Sequence, residues 1–177
     1  MRPAEGHTRV TVRPIRYLGD PVLRKPAKKV RRIDDSIRRL VDDMMESMIA
    51  AQGVGLAAPQ IGVSLRVVVF GMPGEEPWPL INPVIVRRAG ERRIDEGCLS
   101  VPGYRAPITR SQRVTIKGLN LEGKEVRFSE EDTVLAQAFE HETDHVNGTL
   151  YIDRLDSKDD LVKLSELAPT SADQPGS

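Results

Sequence analysis

The segment His141-Glu142-Thr143-Asp144-His145 constrains the fold more than any other part of the chain, because it has the pattern H-E-x-x-H. Residues four apart lie on the same face of an α-helix, so both imidazoles can reach one metal ion. Glu142 can reach a water molecule at that ion without being a ligand. The pattern predicts a helix that carries a metal site, although a solvated polar helix face produces the same spacing.

The only cysteine of the chain, Cys98, lies in the segment Asp-Glu-Gly-Cys-Leu-Ser at residues 95–100. Catalytic zinc-type sites take three protein ligands and leave a fourth position for water. A single cysteine cannot form an internal disulfide, so it is either a small buried apolar residue or a metal ligand. Gly97 permits a close backbone approach, and Glu96 and Ser100 are polar. These neighbours favour the ligand.

A third segment, residues 53–60, reads Gly-Val-Gly-Leu-Ala-Ala-Pro-Gln. Its small residues suit a tight backbone path along which a substrate passes closely. The amide of Gln60 can donate hydrogen bonds to an oxyanion. A glycine-rich loop after a helix is the alternative interpretation.

Taken together and in order, these segments resemble the motifs G-x-G-x-A-A-x-Q, E-G-C-x-S and H-E-x-x-H of peptide deformylase, over residues 15–153. The resemblance implies that Cys98, His141 and His145 bind one divalent metal ion, typically Fe(II), with Zn, Ni or Co able to occupy the same site. It also implies that Glu142 is the general base and acid. The Gln60 side chain and the Leu99 backbone N–H would stabilise the oxyanion.

The implied reaction is hydrolysis of the N-formyl group from the N-terminal methionine of nascent proteins, with release of formate. The resemblance places three residues along the peptide substrate: Val54, Gly55 and Gly97. It makes Arg105 an arginine at the rim of the pocket and Arg110 a partner for Glu96. A solvated surface charge is the alternative for either arginine.

Composition agrees with one catalytic domain, residues 1–168, followed by a polar tail, residues 169–177, that we expect to be disordered. Lys+Arg and Asp+Glu both number 26, which gives no electrostatic case for specific nucleic-acid binding. No apolar run is long enough to span a membrane, and residues 1–7 lack the apolar region of a signal peptide. With a single cysteine, the cytoplasm is the simplest compartment. A transient contact with the ribosome stays open.

Periodicity predicts an amphipathic helix over residues 33–51 and a second helix over 132–147, begun by a capping box of Ser129 and Asp132 and stopped by Gly148. Strands are expected at 65–70, 80–88, 113–119 and 124–128, and Pro83 would restrict the second to an edge or an irregular start. Residues 71–79 should form a loop, with Trp78 exposed or partly packed. The resemblance adds the arrangement: an α+β fold with antiparallel sheets around a central H-E-x-x-H helix and the first helix packed outside.

Three further expectations concern individual residues. Glu140 should face solvent, and Asp144 is either an orienting partner for a histidine or a solvated acid. His7 lies in a polar terminus and should not be a ligand.

Two other functions stay open. A different H-E-x-x-H peptidase would draw its third ligand from downstream acids, for which the candidates are Asp153, Asp156, Asp159 and Asp160. A non-enzymatic module with a structural metal would need four protein ligands, and the chain offers only one Cys and two well-placed His.

Overall fold

The computed structural model describes residues 9–167, which contain two α-helices and eight β-strands. The helices are α1, Asp35–Ala50, and α2, Val134–Val146. The strands are β1 Gly55–Ala57, β2 Val67–Phe70, β3 Trp78–Ala89, β4 Arg92–Cys98, β5 Val101–Arg110, β6 Arg113–Leu119, β7 Glu125–Glu131 and β8 Val162–Lys163. Short 3₁₀ turns occupy Pro21–Arg24, Ala58–Ile61, Tyr151–Arg154, Lys158–Asp160 and Leu164–Glu166.

The strands form two antiparallel sheets. The five-stranded sheet has the order β1-β2-β3-β6-β7, and the three-stranded sheet has the order β4-β5-β8. The predicted class, a mixed fold with antiparallel sheets and two helices, is therefore confirmed.

The five-stranded sheet is covered on both faces, which explains the continuous apolar sequence of β2. Side chains alternate along a strand, so Val67 and Val69 point to one face and Val68 and Phe70 to the other. The first pair packs in a core cluster with α1, and the second pair packs in a cluster with α2. Because all four side chains are fully buried, β2 shows no polar alternation.

Helix α1 matches its predicted range to within two residues. Asp34 caps its first turn by accepting hydrogen bonds from the backbone N–H groups of Ser36 and Ile37. Met44 and Met48 are buried against the sheet, so the apolar stripe is part of the core.

Helix α2 begins later than predicted, and the capping box of Ser129 and Asp132 is wrong. Asp132 has a positive φ of 56°, so the chain turns sharply there, and Thr133 becomes the N-cap by accepting from the Ala136 N–H. The predicted stop is confirmed, because Gly148 has a φ of 80° just after the helix. A Cβ atom at Gly148 would lie 2.8 Å from the Arg24 carbonyl oxygen, so this position also needs a residue without a side chain.

All four predicted strands are present, but β3 begins inside the predicted loop. Trp78 opens the strand and packs on Phe70 and Phe128, with ring centroids 5.0 and 4.3 Å away. The strand lies between β2 and β6, so the edge position that Pro83 suggested is wrong. The alternative, an irregular start, is present in altered form, because the irregularity lies inside the strand as a register shift between Ile81 and Val84.

The hairpin of β4 and β5, which carries Cys98, was not predicted. Residues 92–96 alternate in burial, but four of these five residues are charged, so the apolar alternation that predicts a strand is missing from the sequence. His7 and the tail at 169–177 lie outside the described residues, so those two expectations stay predictions. Within residues 9–167, neither helix has the length and apolar character that crossing a bilayer requires.

Candidate active site

A cleft of about 500 Å³ lies where β1, β4 and α2 meet. It brings together all three sequence motifs, although they are far apart along the chain. The predicted substrate residues all line it: Val54, Gly55, Gly97 and Arg105. So do Gln60, Leu99, His141 and Glu142.

Three potential metal ligands converge beside this cleft, and one of them, His141, lines it. Cys98 Sγ lies 3.2 Å from His145 Nε2, which lies 3.2 Å from His141 Nε2. Among the described residues these three form the one group of His, Cys and acidic side chains whose ligand atoms all fall within 4.8 Å of one another. The cysteine is partly buried and forms no disulfide.

The spacing of these donors fits a single first-row metal ion. Tetrahedral coordination at usual bond lengths separates two imidazole nitrogens by about 3.3 Å, and a thiolate from a nitrogen by about 3.5 Å. Three ligands also leave one position open, as a catalytic site requires and a structural site does not. A structural metal module is therefore a poor fit to this donor set.

Glu96 fixes the orientation of His141. The Nδ1–H of His141 donates to Glu96 Oε2 over 3.0 Å, which leaves Nε2 directed at the other donors. Burial by itself raises the pKa of Glu96, but hydrogen bonds from His141 and Arg110 outweigh it and lower the pKa to about 2. Glu96 is therefore a carboxylate throughout the physiological range.

The predicted contact between Arg110 and Glu96 is present and completely buried. Arg110 donates to both carboxylate oxygens of Glu96, over 3.1 and 2.6 Å, and both side chains are 1% exposed. Its remaining nitrogen donates to Asp144 over 2.8 Å. Burial disfavours the charged guanidinium, but the two acids raise the pKa of Arg110 above its usual value.

Asp144 was expected to be either an orienting partner for a histidine or a solvated acid, and both expectations are wrong. It does not touch a histidine, and it is buried, with its oxygens accepting from Arg110 and Arg154. The resulting chain of ion pairs connects the back of α2 to β4 and β5. Through these ion pairs, Asp144 stabilises the position of the helix that carries the two histidines.

The expectation that Glu140 faces solvent is wrong. Glu140 is 7% exposed and accepts a hydrogen bond from the backbone N–H of Ser111 over 2.8 Å. Glu140 is buried because the turn after β5 donates to one of its oxygens and Arg88 of β3 lies 3.6 Å from the other.

Glu142 lies in the cleft with one unpartnered oxygen. Its side chain is buried, and no described residue hydrogen-bonds Oε2. Burial raises the pKa of Glu142 to about 7. Gly55 makes room for it, because a Cβ atom at Gly55 would lie 2.9 Å from Glu142 Oε1.

The pKa values of the two histidines are shifted in opposite directions. Burial, together with the neighbouring His141, lowers the pKa of His145 well below its usual value. Burial also opposes the charged form of His141, but Cys98 and Glu96 outweigh it and raise that pKa. The Nδ1 atom of His145 has no partner among the described residues.

The orientation of the Gln60 amide is fixed by its contacts. Its Oε1 accepts from the Ala57 backbone N–H over 2.9 Å, so its NH₂ group faces the cleft. That group donates to Ser100 Oγ over 3.2 Å and lies 3.8 Å from Cys98 Sγ. Gln60 is 1% exposed, so a donor is held beside the metal ligands.

Arg105 lies at the rim, as the resemblance implied. Its side chain is 45% exposed and pairs with Asp95 over 2.7 Å. Strand β8 pairs with Tyr104 and Arg105 on β5, which supports this rim from the C-terminal side.

The downstream acids do not reach the site. Asp153 pairs with Arg24, and Asp156 and Asp160 pair with Arg93. Asp159 is exposed and belongs to no metal-type cluster of the described residues. The alternative peptidase with a downstream third ligand therefore has no support.

Sequence reasoning missed two residues that support the site. Gln137 lines the cleft and donates to Glu96 Oε1 over 3.0 Å, and Arg154 pairs with Asp144. The position of Gln137, one helical turn before His141, was the available signal for the first. Nothing in the sequence marks Arg154.

Comparisons with known proteins agree with this geometry. A family model described as polypeptide deformylase matches residues 12–160. The chain belongs to this family. A peptide deformylase from Dehalococcoides mccartyi strain CBDB1 is 54% identical over 153 residues, which cover 86% of this chain and 91% of the relative.

Solved structures of the family share the fold. A peptide deformylase from Legionella pneumophila superposes with a TM-score of 0.79 at 46% identity, over 82% of this chain and 86% of that one. One from Synechococcus elongatus, in complex with actinonin, gives 0.80 at 38% identity, over 86% and 83%. Family membership confirms the predicted class: a hydrolase of protein biosynthesis that removes N-formyl groups from newly synthesised proteins.

Proposed function

We propose that this cleft hydrolyses the N-formyl group of N-terminal methionine, with one divalent metal ion, natively Fe(II), held by Cys98, His141 and His145. The observation that carries the proposal is the convergence of these three donors beside the unpartnered Glu142 carboxylate oxygen. Zn, Ni or Co would satisfy the same donors, because Cys and His ligands accept several first-row ions.

The bound metal would supply Lewis acidity, which makes water a better nucleophile and polarises the formyl carbonyl. Glu142 takes the proton of the attacking water and then gives it to the leaving amine nitrogen. The C–N bond breaks, and formate and a free amino terminus are released. The Gln60 NH₂ group and the Leu99 backbone N–H donate to the oxyanion that forms on the formyl carbon.

The peptide would follow the backbone at Val54, Gly55 and Gly97, with Arg105 at the open rim. These four residues line one cleft, and its 500 Å³ suits a methionine side chain and the adjoining backbone. In this proposal α2 is the central helix of the fold and α1 is packed outside the sheet. The cytoplasm, where new chains are made, is the proposed compartment.

The direct test is formate release from formyl-Met-Ala-Ser by protein purified anaerobically, with metal analysis of the same sample. The proposal expects formate, an intact Met-Ala-Ser product and about one Fe per chain. Cleavage between the amino acids would point to a different peptidase. An absence of formate from metal-loaded protein would overturn the proposal.

Gln60→Ala should lower kcat by about 10²–10³ with a modest change in KM, because an oxyanion donor acts mainly in the transition state. Steady-state kinetics on formyl-Met-Ala-Ser measure both constants. The change also removes the acceptor of the Ala57 N–H, so thermal unfolding must accompany the kinetics. A rise in KM alone would instead assign Gln60 to ground-state binding.

Removal of the residues after Leu167 should leave turnover within about twofold, because the described part of the chain already contains every cleft residue. This tail is small and polar and bears one charge, Asp173, so RNA phosphates would not attract it. Turnover and ribosome co-sedimentation of the chain ending at Leu167 test both statements. A chain ending at Asp160 is the matched control, because it also loses β8, which pairs with Arg105. A large fall in either measurement for the first truncation would contradict the prediction.

A further inference from the structure

A second surface, away from the cleft, is rich in basic residues, although the chain as a whole has equal numbers of acidic and basic residues. Residues 24–32, which we call the basic arm, read Arg-Lys-Pro-Ala-Lys-Lys-Val-Arg-Arg, so six of nine residues are basic and none is acidic. The rest of the chain carries 20 basic and 26 acidic residues. The equal totals therefore come from segregation of charge, and they do not exclude a polyanionic partner.

The cations of the basic arm are exposed, and most have no acidic partner. All six basic side chains are exposed. Arg24 pairs with Asp153, but within residues 9–167 no carboxylate lies within ion-pair distance of the other five: Lys25, Lys28, Lys29, Arg31 and Arg32. Asp34, the next acid along the chain, caps α1 and attracts Arg32 from beyond ion-pair distance. Elsewhere in residues 9–167 paired and unpaired cations are interspersed, and no other stretch of eight residues holds five unpaired cations.

The backbone of the basic arm is held firmly against the fold. Ala27 and Val30 are buried at 8% and 7% exposure. The Ala27 N–H donates to the Val146 carbonyl at the end of α2, and Lys28 exchanges backbone hydrogen bonds with Ser64 and Arg66.

Asn82 completes this attachment. Its side chain accepts from the Val30 N–H and donates to the Val30 carbonyl, over 2.8 and 2.9 Å. The buried residues alternate with the exposed pairs Lys28–Lys29 and Arg31–Arg32. The charges are thus displayed outward from a fixed backbone, and little backbone entropy is lost when a ligand binds.

We propose that the basic arm is a docking surface for the phosphate backbone of folded RNA. Arginine and lysine together match phosphate oxygens, and a row of unpaired cations binds through release of counterions from the polyanion. The contact is independent of base sequence, because the arm offers no aromatic side chain for stacking.

An anionic membrane is the less suitable partner. Charge alone attracts a basic segment to anionic headgroups, but stable binding to a bilayer gains from exposed apolar side chains that insert between them. None of the exposed large apolar residues lies in the basic arm, whose apolar residues Ala27 and Val30 face the core. This inference does not depend on the chemistry of the cleft.

The test measures binding of a fluorescein-labelled RNA hairpin to the metal-loaded enzyme over a range of salt concentrations. Five phosphate contacts predict a slope of log K against log salt of about −4 to −5. The variant Lys28→Gln/Lys29→Gln/Arg31→Gln/Arg32→Gln should reduce the slope to about −1 and weaken binding at least about 100-fold at 0.1 M salt. Formate release should be unchanged, since none of the four residues lines the cleft.

A matched control removes the same charge from paired cations: Arg16→Gln/Arg93→Gln/Arg113→Gln/Arg127→Gln. It should bind the hairpin nearly as well as the unmodified enzyme. Equal weakening of both variants would show a net-charge effect and overturn the proposal. So would absence of hairpin binding, or binding only to vesicles of phosphatidylserine and phosphatidylcholine. Because formate release is measured separately, a failure here is distinct from a failure of the proposed activity.

Discussion

Glu142→Gln is expected to reduce kcat for formyl-Met-Ala-Ser by about 10²–10⁴ while the enzyme keeps its metal. Glutamine has the same shape as glutamate but cannot take the proton from water. The carboxylate is buried beside Gly55 with one unpartnered oxygen, so a neutral replacement should not disturb folding. Turnover and metal content, measured on one preparation, provide the check.

Cys98→Ala is the matched control, because it changes ligation and leaves the proton carrier in place. This variant should lose tightly bound metal and with it turnover, since two imidazoles alone hold a divalent ion weakly. The two variants would then separate metal binding from proton transfer. Near-normal turnover in Glu142→Gln would contradict the mechanism even though the family is established.

Arg110→Met is expected to lower the free energy of unfolding by about 3–5 kcal/mol, because it leaves two buried acids without their shared cation. Glu96 and Arg110 are each 1% exposed, and Asp144 is 8% exposed. Methionine roughly preserves the volume of the arginine stem, so the loss reports on charge more than on packing. Urea unfolding of the metal-loaded protein measures it.

Arg154→Met is the control for this prediction, since it removes a second cation from the same acid, Asp144. The Arg154 side chain is 41% exposed, and Asp144 keeps Arg110, so the expected cost is about 1 kcal/mol or less. If the two variants unfold at the same urea concentration, then the buried Arg110 contributes no more to the free energy of unfolding than an exposed arginine does.

The features that could be predicted from the sequence are those specified by neighbouring residues. Helical spacing located α1 and α2, a β-branched run located β2, and alternation of apolar and polar residues located β6, because each pattern is repeated within one element. The error at the start of α2 has a local cause, too. Ser129 fits a capping box by spacing alone, but the positive φ at Asp132 makes Thr133 the residue that begins the helix.

Features that depend on long-range packing could not be predicted from residue patterns. The hairpin carrying Cys98 is stabilised through its partners, since Glu96 is buried only because Arg110, Gln137 and His141 satisfy it. Glu140 was expected to face solvent for the same reason: the Ser111 N–H that it accepts from lies 29 residues away. The pairing of Arg110 with Glu96 was inferred from the family resemblance and not from periodicity.

The charge total is an incomplete description of the surface for a related reason. Equal numbers of acids and bases were taken as evidence against nucleic-acid binding, but a total says nothing of where the charges lie. The sequence already shows six basic residues at 24–32, and the structure adds that five of them have no carboxylate within ion-pair distance among the described residues. Exposure and pairing, and not composition, decide whether such a stretch can bind a polyanion.

The order of elements along the chain has a consequence for biosynthesis. The last strand of the five-stranded sheet ends at Glu131, but the face formed by Val68, Phe70, Leu80, Val114 and Ile116 packs mainly against α2, which is made afterwards. During translation at 5–20 residues per second, α2 takes about one to three seconds to follow. In that interval the unfinished chain exposes an apolar sheet face, which is the stage most open to aggregation and to capture by chaperones. We therefore expect the synthesis of α2, the helix that bears both histidines, to end this exposed stage.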